Sequence, residues 1–264
     1  MQITVYQVMV LLSFVTSNLK IIIIMKMFKV FTIIAFFLVS GFSAHAQKNG
    51  FVEEAKGGNT EKGYYINDKK DGAWVTESRN GDVTKIESYR NGIKDGVFID
   101  FDRKKGFVSK KAYYKEGRLN GLEISYSSSN KPQSKINYTN GVINGKKTLY
   151  YDYGKMQEDS YYRDGKKSGI SKWYDQNNKL IALYSYKDGN FDGTNKTFYP
   201  NGNVQKEETY VNNIPEGPYK ELFQTGKKKV TGSYKNGLKD GEWVTYDAHG
   251  GVKETVVFEN GDRK

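Results

Sequence analysis

The chain has 264 residues, with 41 Lys and Arg against 30 Asp and Glu and a formal net charge of +11. It has no cysteine and only two histidines, which excludes disulfides, thiolate metal sites, cysteine nucleophiles and a histidine-rich metal centre. Glycine (28) and tyrosine (21) are frequent and proline is rare (4), a balance suited to sheets and tight turns.

Residues 1–46 hold no acid and three bases, Lys20, Lys26 and Lys29. Lys29 precedes the apolar run Val30–Val39, which is followed by Ser40-Gly41-Phe42-Ser43 and the small-residue site Ala44-His45-Ala46. A basic start, a short apolar core and an A-x-A site predict a secretory signal peptide cleaved after Ala46. The apolar core is shorter than the ~20 residues a membrane span needs, so a retained helix is the weaker reading. Met25 or Met27 suits this pattern better as a start than Met1, and a two-pass anchor over 5–15 and 21–42 is disfavoured by Lys20. A lipoprotein anchor would need a cysteine at the cleavage point. Cleavage removes three bases and no acid, leaving a chain of +8 in the periplasm, on the outer surface or secreted.

Residues 47–62, rich in Lys, Glu, Gly and Asn, read as a flexible lead-in. From residue 63 onward an internal repeat governs the sequence. The pattern aromatic-x-[ND]-x-x-x-x-G runs from Tyr65…Gly72 through Tyr89…Gly96, Tyr114…Gly121 and Tyr138…Gly145. It goes on through Tyr162…Gly169, Tyr186…Gly193, Tyr210…Gly217 and Tyr234…Gly241 to a partial copy at Phe258–Gly261. The interval is 24 residues except for one of 25 between the second and third copies. Dipeptides such as Asn91-Gly92, Asn140-Gly141, Asp188-Gly189 and Asn236-Gly237 favour hairpin turns with positive φ. Five residues of strand character follow the second glycine, as in Glu242-Trp243-Val244-Thr245-Tyr246, and a second turn such as Pro200-Asn201-Gly202 leads into the next strand. Each copy therefore predicts a β-hairpin. A lone hairpin is marginal in water, so the copies must pair side by side. The expected fold is all-β: an elongated, single-layer antiparallel sheet of eight tandem 24-residue β-hairpin repeats and a partial ninth over 63–264.

The unit Y-x-N-G-x-x-D-G-x-W-x-x-Y-x-x-x-G, closest to consensus at Tyr234–Tyr246, resembles the MORN repeat in its bacterial variant form. The resemblance implies a sheet of hairpins used for binding and scaffolding, and some exported relatives with this layout are labelled antitoxin-like. Asp68 and Asn213 stand where the first turn glycine is expected, Pro215 and Pro218 lie on either side of Gly217, and Trp follows the second glycine only as Trp74 and Trp243. In enzymes such repeats accompany a separate catalytic domain, for which the chain leaves no room.

The tyrosine ladder Tyr89, Tyr114, Tyr138, Tyr162, Tyr186, Tyr210 and Tyr234 reads as structural stacking between strands. The less regular aromatics are the candidate binding residues: Trp74, Phe98, Tyr126, Tyr150, Trp173, Tyr174, Tyr199, Tyr219, Trp243 and Tyr246. A single-layer sheet cannot bury both faces, and Trp and Tyr anchor interfaces. The acids before the second glycine, Asp71, Asp95, Asp192, Glu216 and Asp240, suit turn formation better than a calcium ladder, because Asn120, Asn144 and Ser168 replace them. The clusters Arg103-Lys104-Lys105, Lys110-Lys111 and Lys227-Lys228-Lys229 read as solvated turn charge, or as contacts to an anionic surface. His249 lies in a turn; nothing marks a triad, a carboxylate pair or a phosphate loop. The expected protein has no enzyme activity, no metal and no cofactor, and it binds no nucleic acid. It binds a protein partner in an immunity-like or envelope-assembly role, the alternative being an envelope glycan or anionic membrane surface.

Overall fold

The computed structural model describes residues 47–264; the upstream stretch and signal peptide expected over 1–46 lie outside them. Among the described residues there are twenty-three strands and no helix. Each strand pairs antiparallel with its neighbours in sequence, so one open sheet runs as a meander from Gly50–Lys56 to Val252–Glu259 and Asp262–Arg263.

The two ends of the strands differ. At one end two-residue turns join the strands, with Asn91 and Gly92 at φ 52° and 80°, the mirror-type hairpin that matches strand twist. At the other end five-residue loops close through bonds such as Tyr151 N–H to the Lys155 carbonyl (2.8 Å) and Asp175 N–H to Lys179 (2.8 Å). The loop after Phe101 is one residue longer, with Asp102 N–H donating to the Phe107 carbonyl, and this accounts for the single 25-residue interval.

The second glycine of each copy makes a bulge. Tyr89 pairs with Lys94 but Ile86 pairs with Ile99, so two residues of one strand face four of the next. Gly96, at φ 112°, then lies opposite Tyr114; the same register sets Gly145 against Tyr162 and Gly241 against Phe258. Only glycine takes that conformation without strain, which is why the tyrosines and second glycines recur together. The pre-glycine residues link copies: Asp71 accepts the Asn91 N–H (3.0 Å), Asn120 that of Asn140 (3.2 Å) and Glu216 that of Asn236 (2.6 Å). These side chains cap the turn of the following copy, the role their chemistry predicts.

The reading of 47–62 as a flexible lead-in is corrected. Gly50–Lys56 and Asn59–Ile66 form a hairpin around Gly57-Gly58, both at positive φ. Its strands carry the charged residues Glu53, Glu54, Lys56, Glu61 and Lys62 in place of a clean apolar–polar alternation, and some of these pair as ions: Lys62 reaches Glu53 at 3.2 Å and, on the next strand, Glu77 at 3.0 Å.

Candidate partner-binding surface

Period-2 alternation divides the side chains between two faces. On the first face the tyrosine column meets the residue two past each bulge glycine, at positions 74, 98, 123, 147, 171, 195, 219 and 243. The rings touch: Tyr65 with Trp74 (centroids 5.0 Å), Phe98 with Tyr89 and Tyr114 (5.7 and 4.5 Å), and Trp243 with Tyr219 and Tyr234 (5.1 and 5.0 Å). Each of these side chains leans back over the bulge. Trp74 Nε1 donates to the Tyr64 carbonyl, Trp243 Nε1 to that of Ser233 (both 3.1 Å), and Asn195 Oδ1 accepts from Ser185 N–H (2.7 Å). Gly63 and Gly232 lie beneath the two tryptophans, where any Cβ would overlap the indole. Lysines cover the stack, Lys70 4.0 Å above Trp74 and Lys239 4.3 Å above Trp243.

This arrangement corrects the candidate list. Trp74, Phe98 and Trp243 are 1%, 8% and 6% exposed and form the core, because the bulge folds them inward onto the sheet. Tyr219 is half-buried against Trp243: burial first, then the neighbouring carboxylates, push its hydroxyl pKa to about 12. Tyr89 is raised to about 12 for the same reasons, with Glu87 beside it, and Tyr210 is raised by burial and its 2.8 Å bond to Glu208.

Between these aromatic ends the column turns polar, through Glu123, Lys147, Ser171 and Asn195. Buried carboxylates here are paired: Glu123 with Lys110 (2.8 Å), Glu208 with Lys206 (2.8 Å), and Glu158 with Lys167 (2.7 Å) and the Ser160 hydroxyl. Ser171 Oγ and Trp173 Nε1 are buried without a partner in the structure. Trp173 therefore belongs to this face, with Lys167 5.1 Å over its ring, while the adjacent Tyr174 points to the other.

The other face carries Tyr126, Tyr150, Tyr174 and Tyr246 beside the five-residue loops. Register places Tyr126 opposite Pro132, Tyr150 opposite Met156, Tyr174 opposite Leu180 and Tyr246 opposite Val252. Phe101 with Val108 and Phe198 with Val204 complete a stripe of aromatic and aliphatic side chains across the strands. All are half-buried except Val252, which is exposed. Like residues recur every two strands, roughly 9.6 Å apart at ~4.8 Å per strand. An open depression between two loops, lined by Lys179, Leu180, Phe198 and Pro200, sits on this stripe. Tyr199 lies at the start of a loop and bonds the Leu222 carbonyl (2.8 Å). Phe101 stands five residues past Gly96, as Tyr126 stands five past Gly121 and Tyr150 five past Gly145, so alignment on the glycines could have found it; the aliphatic partners carry no such mark, because they open the return strand beyond each loop.

Residues 119–140, 167–188, 191–212 and 215–236 each match the model of the MORN repeat variant. The chain carries MORN repeats. The four matched segments begin and end near the two-residue turns, so a MORN unit here is a return strand, a five-residue loop and the next outgoing strand. The copies before the first matched segment, the copy over 143–164 and the last copy lie outside the matches yet keep the same bulge register. No curated protein matches the chain. As a stack of such repeats, the protein is a repeat scaffold.

Proposed function

We infer that this chain is an exported, non-enzymatic scaffold that binds a protein partner along the aromatic–aliphatic stripe, in an antitoxin- or immunity-like or envelope-assembly role. The stripe carries the reading: half-exposed Tyr, Phe, Met and Leu side chains continue from copy to copy on a sheet with no second layer, and such residues anchor protein interfaces. MORN repeats commonly mediate binding to proteins or membrane lipids. The signal-peptide pattern of residues 27–46 supports export.

The test is capture from an envelope extract by the full chain and by Tyr150→Ser/Tyr174→Ser. A protein held by the wild type and released by the variant is the expected result; one held equally by both sinks the reading.

The runner-up, an anionic membrane or glycan surface, draws on the two-residue-turn rim. There Arg90, Lys115, Arg118, Arg163 and Lys166 alternate with exposed Ile93, Val142, Ile214 and Leu238. Co-sedimentation with anionic vesicles that vanishes at high salt, and is untouched by the stripe variant, would favour it.

A further inference from the structure

Two rows of lysine border the stripe. On the loop side, Lys105, Lys131, Lys179 and Lys227 each donate to a carbonyl of the following loop, at 2.7, 3.0, 2.7 and 3.2 Å. Those bonds fix the ammonium groups along the loop edge without neutralising them. Three of the loop carboxylates are taken up by the backbone of their own loops. Asp102 accepts from the N–H groups of Lys104 and Lys105, Asp175 from those of Asn177 and Lys179, and Asp247 from those of His249 and Gly251. These backbone bonds hold the Asp247 carboxyl below the usual carboxylate range.

On the sheet side stand Lys172 and Lys220, two residues before Tyr174 and Leu222, and Lys111 and Lys135, three residues after Val108 and Pro132 across a register shift. Only Asp159 and Glu207 lie among them, and these are engaged by Lys146 and Lys196, both at 3.1 Å. Among the described residues no carboxylate comes within ion-pair distance of Lys111, Lys135, Lys172 or Lys220. On the first face, by contrast, buried glutamates take lysine partners at 2.7 to 2.8 Å. The stripe face is thus left with an excess of lysine: Lys172 and Lys220 stand opposite Asp159 and Glu207, which other lysines engage, and Lys111 and Lys135 have no acid opposite at all.

Taking the stripe as the binding surface, we propose that its partner is an acidic protein segment whose apolar side chains enter the stripe while its carboxylates meet the two lysine rows. A second copy of this chain is disfavoured, because stripe against stripe would bring four lysine rows together. A plain polyanion would leave the Tyr, Met and Leu side chains uncovered.

The probes are synthetic 16-residue peptides repeating Glu-Leu-Asp-Phe, a Gln/Asn counterpart and a Lys counterpart, together with poly-glutamate and phosphatidylglycerol vesicles. Binding to the full chain is followed by fluorescence anisotropy or, for vesicles, sedimentation. The acidic peptide should bind about tenfold more tightly than the Gln/Asn peptide at low salt, and also more tightly than poly-glutamate. Lys135→Glu/Lys172→Glu/Lys220→Glu should reverse the choice toward the Lys peptide. Equal binding of acidic and neutral peptides, equal binding of poly-glutamate, or binding of vesicles alone would overturn the proposal. Should Tyr150→Ser/Tyr174→Ser weaken all peptides alike with no acidic preference, the stripe remains the binding surface and only the partner's chemistry is wrong. No effect of that variant removes the stripe reading itself.

Discussion

Glycine beneath tryptophan is the tightest fit in the molecule. Adding a methyl group at Gly232 forces the Trp243 indole off the bulge, and overpacking of this kind costs about 1–3 kcal/mol. Removing the ring, Trp243→Ala, empties a buried site and costs about 3–5 kcal/mol. With the indole gone, the methyl group at 232 has room. Gly232→Ala should therefore cost clearly less in the Trp243→Ala background than alone, and a denaturation double-mutant cycle reads that coupling directly. Additive effects would mean that the two residues do not share the space. Ser171 predicts the opposite sign. It is 0% exposed and its hydroxyl has no partner, so Ser171→Ala should be neutral or stabilising by about 1 kcal/mol in the same assay.

The tyrosine column makes stability depend on alkaline pH. Burial, aided by nearby glutamates, raises Tyr89 and Tyr219 to about 12, against about 10 for a tyrosine in the unfolded chain. A folded-state pKa above the unfolded one gives stability that is complete below pH ~10 and is lost as pH rises toward 12. The sheet's circular dichroism should hold to about pH 10 and fall between 10 and 12, together with a late rise in tyrosinate absorbance. Tyrosinate appearing near pH 10 with the sheet intact would contradict the burial of this column.

Hairpins and turns were legible in the sequence because they need particular chemistry: positive φ selects Asn-Gly, and the bulge selects a second glycine 24 residues from the last. What could not be read was the direction of each side chain across the bulge. Trp74 and Trp243 look like exposed anchors when strand alternation is counted through a flat sheet. They become core only because two residues face four and the return strand bends. The first hairpin escaped for a different reason. Its Glu53 and Lys62 pair as ions, so neither the hydrophobic period nor the tyrosine pattern marks Gly50–Lys56 as a strand. The pre-glycine acids yield a test at this scale. Asp71 holds the Asn91 N–H of the next turn at 3.0 Å, so Asp71→Ala should cost about 0.5–1.5 kcal/mol, whereas Asp71→Asn should retain most of it, as Asn120 does for Asn140. Added calcium should leave the wild-type Tm unchanged; a calcium-dependent rise would return these acids to the role of metal ligands.

Because strands pair only with their neighbours in sequence, whole copies act as exchangeable units, but the slot under each bulge sets which exchanges are allowed. In successive copies that slot holds Gly63 with Trp74, Glu87 with Phe98, Ala112 with Glu123, Ile136 with Lys147, Ser160 with Ser171, Tyr184 with Asn195, Glu208 with Tyr219 and Gly232 with Trp243. Deleting 213–236 joins Asn212 to Gly237 and sets Glu208 beside Trp243, the same kind of pair as Glu87 with Phe98. It also keeps Lys206 on Glu208. Deleting 189–212 joins Asp188 to Asn213 and forces Tyr184 and Tyr219 into one slot. Both remove 24 residues and preserve the strand register. The first should unfold cooperatively in urea, with an m-value lower by about a tenth in proportion to the surface lost. The second should lose cooperativity or aggregate, since two half-buried rings cannot share the bend. If both deletions behave alike, the copies are interchangeable, and the pairing of large with small side chains beneath the bulges has no part in fixing their order.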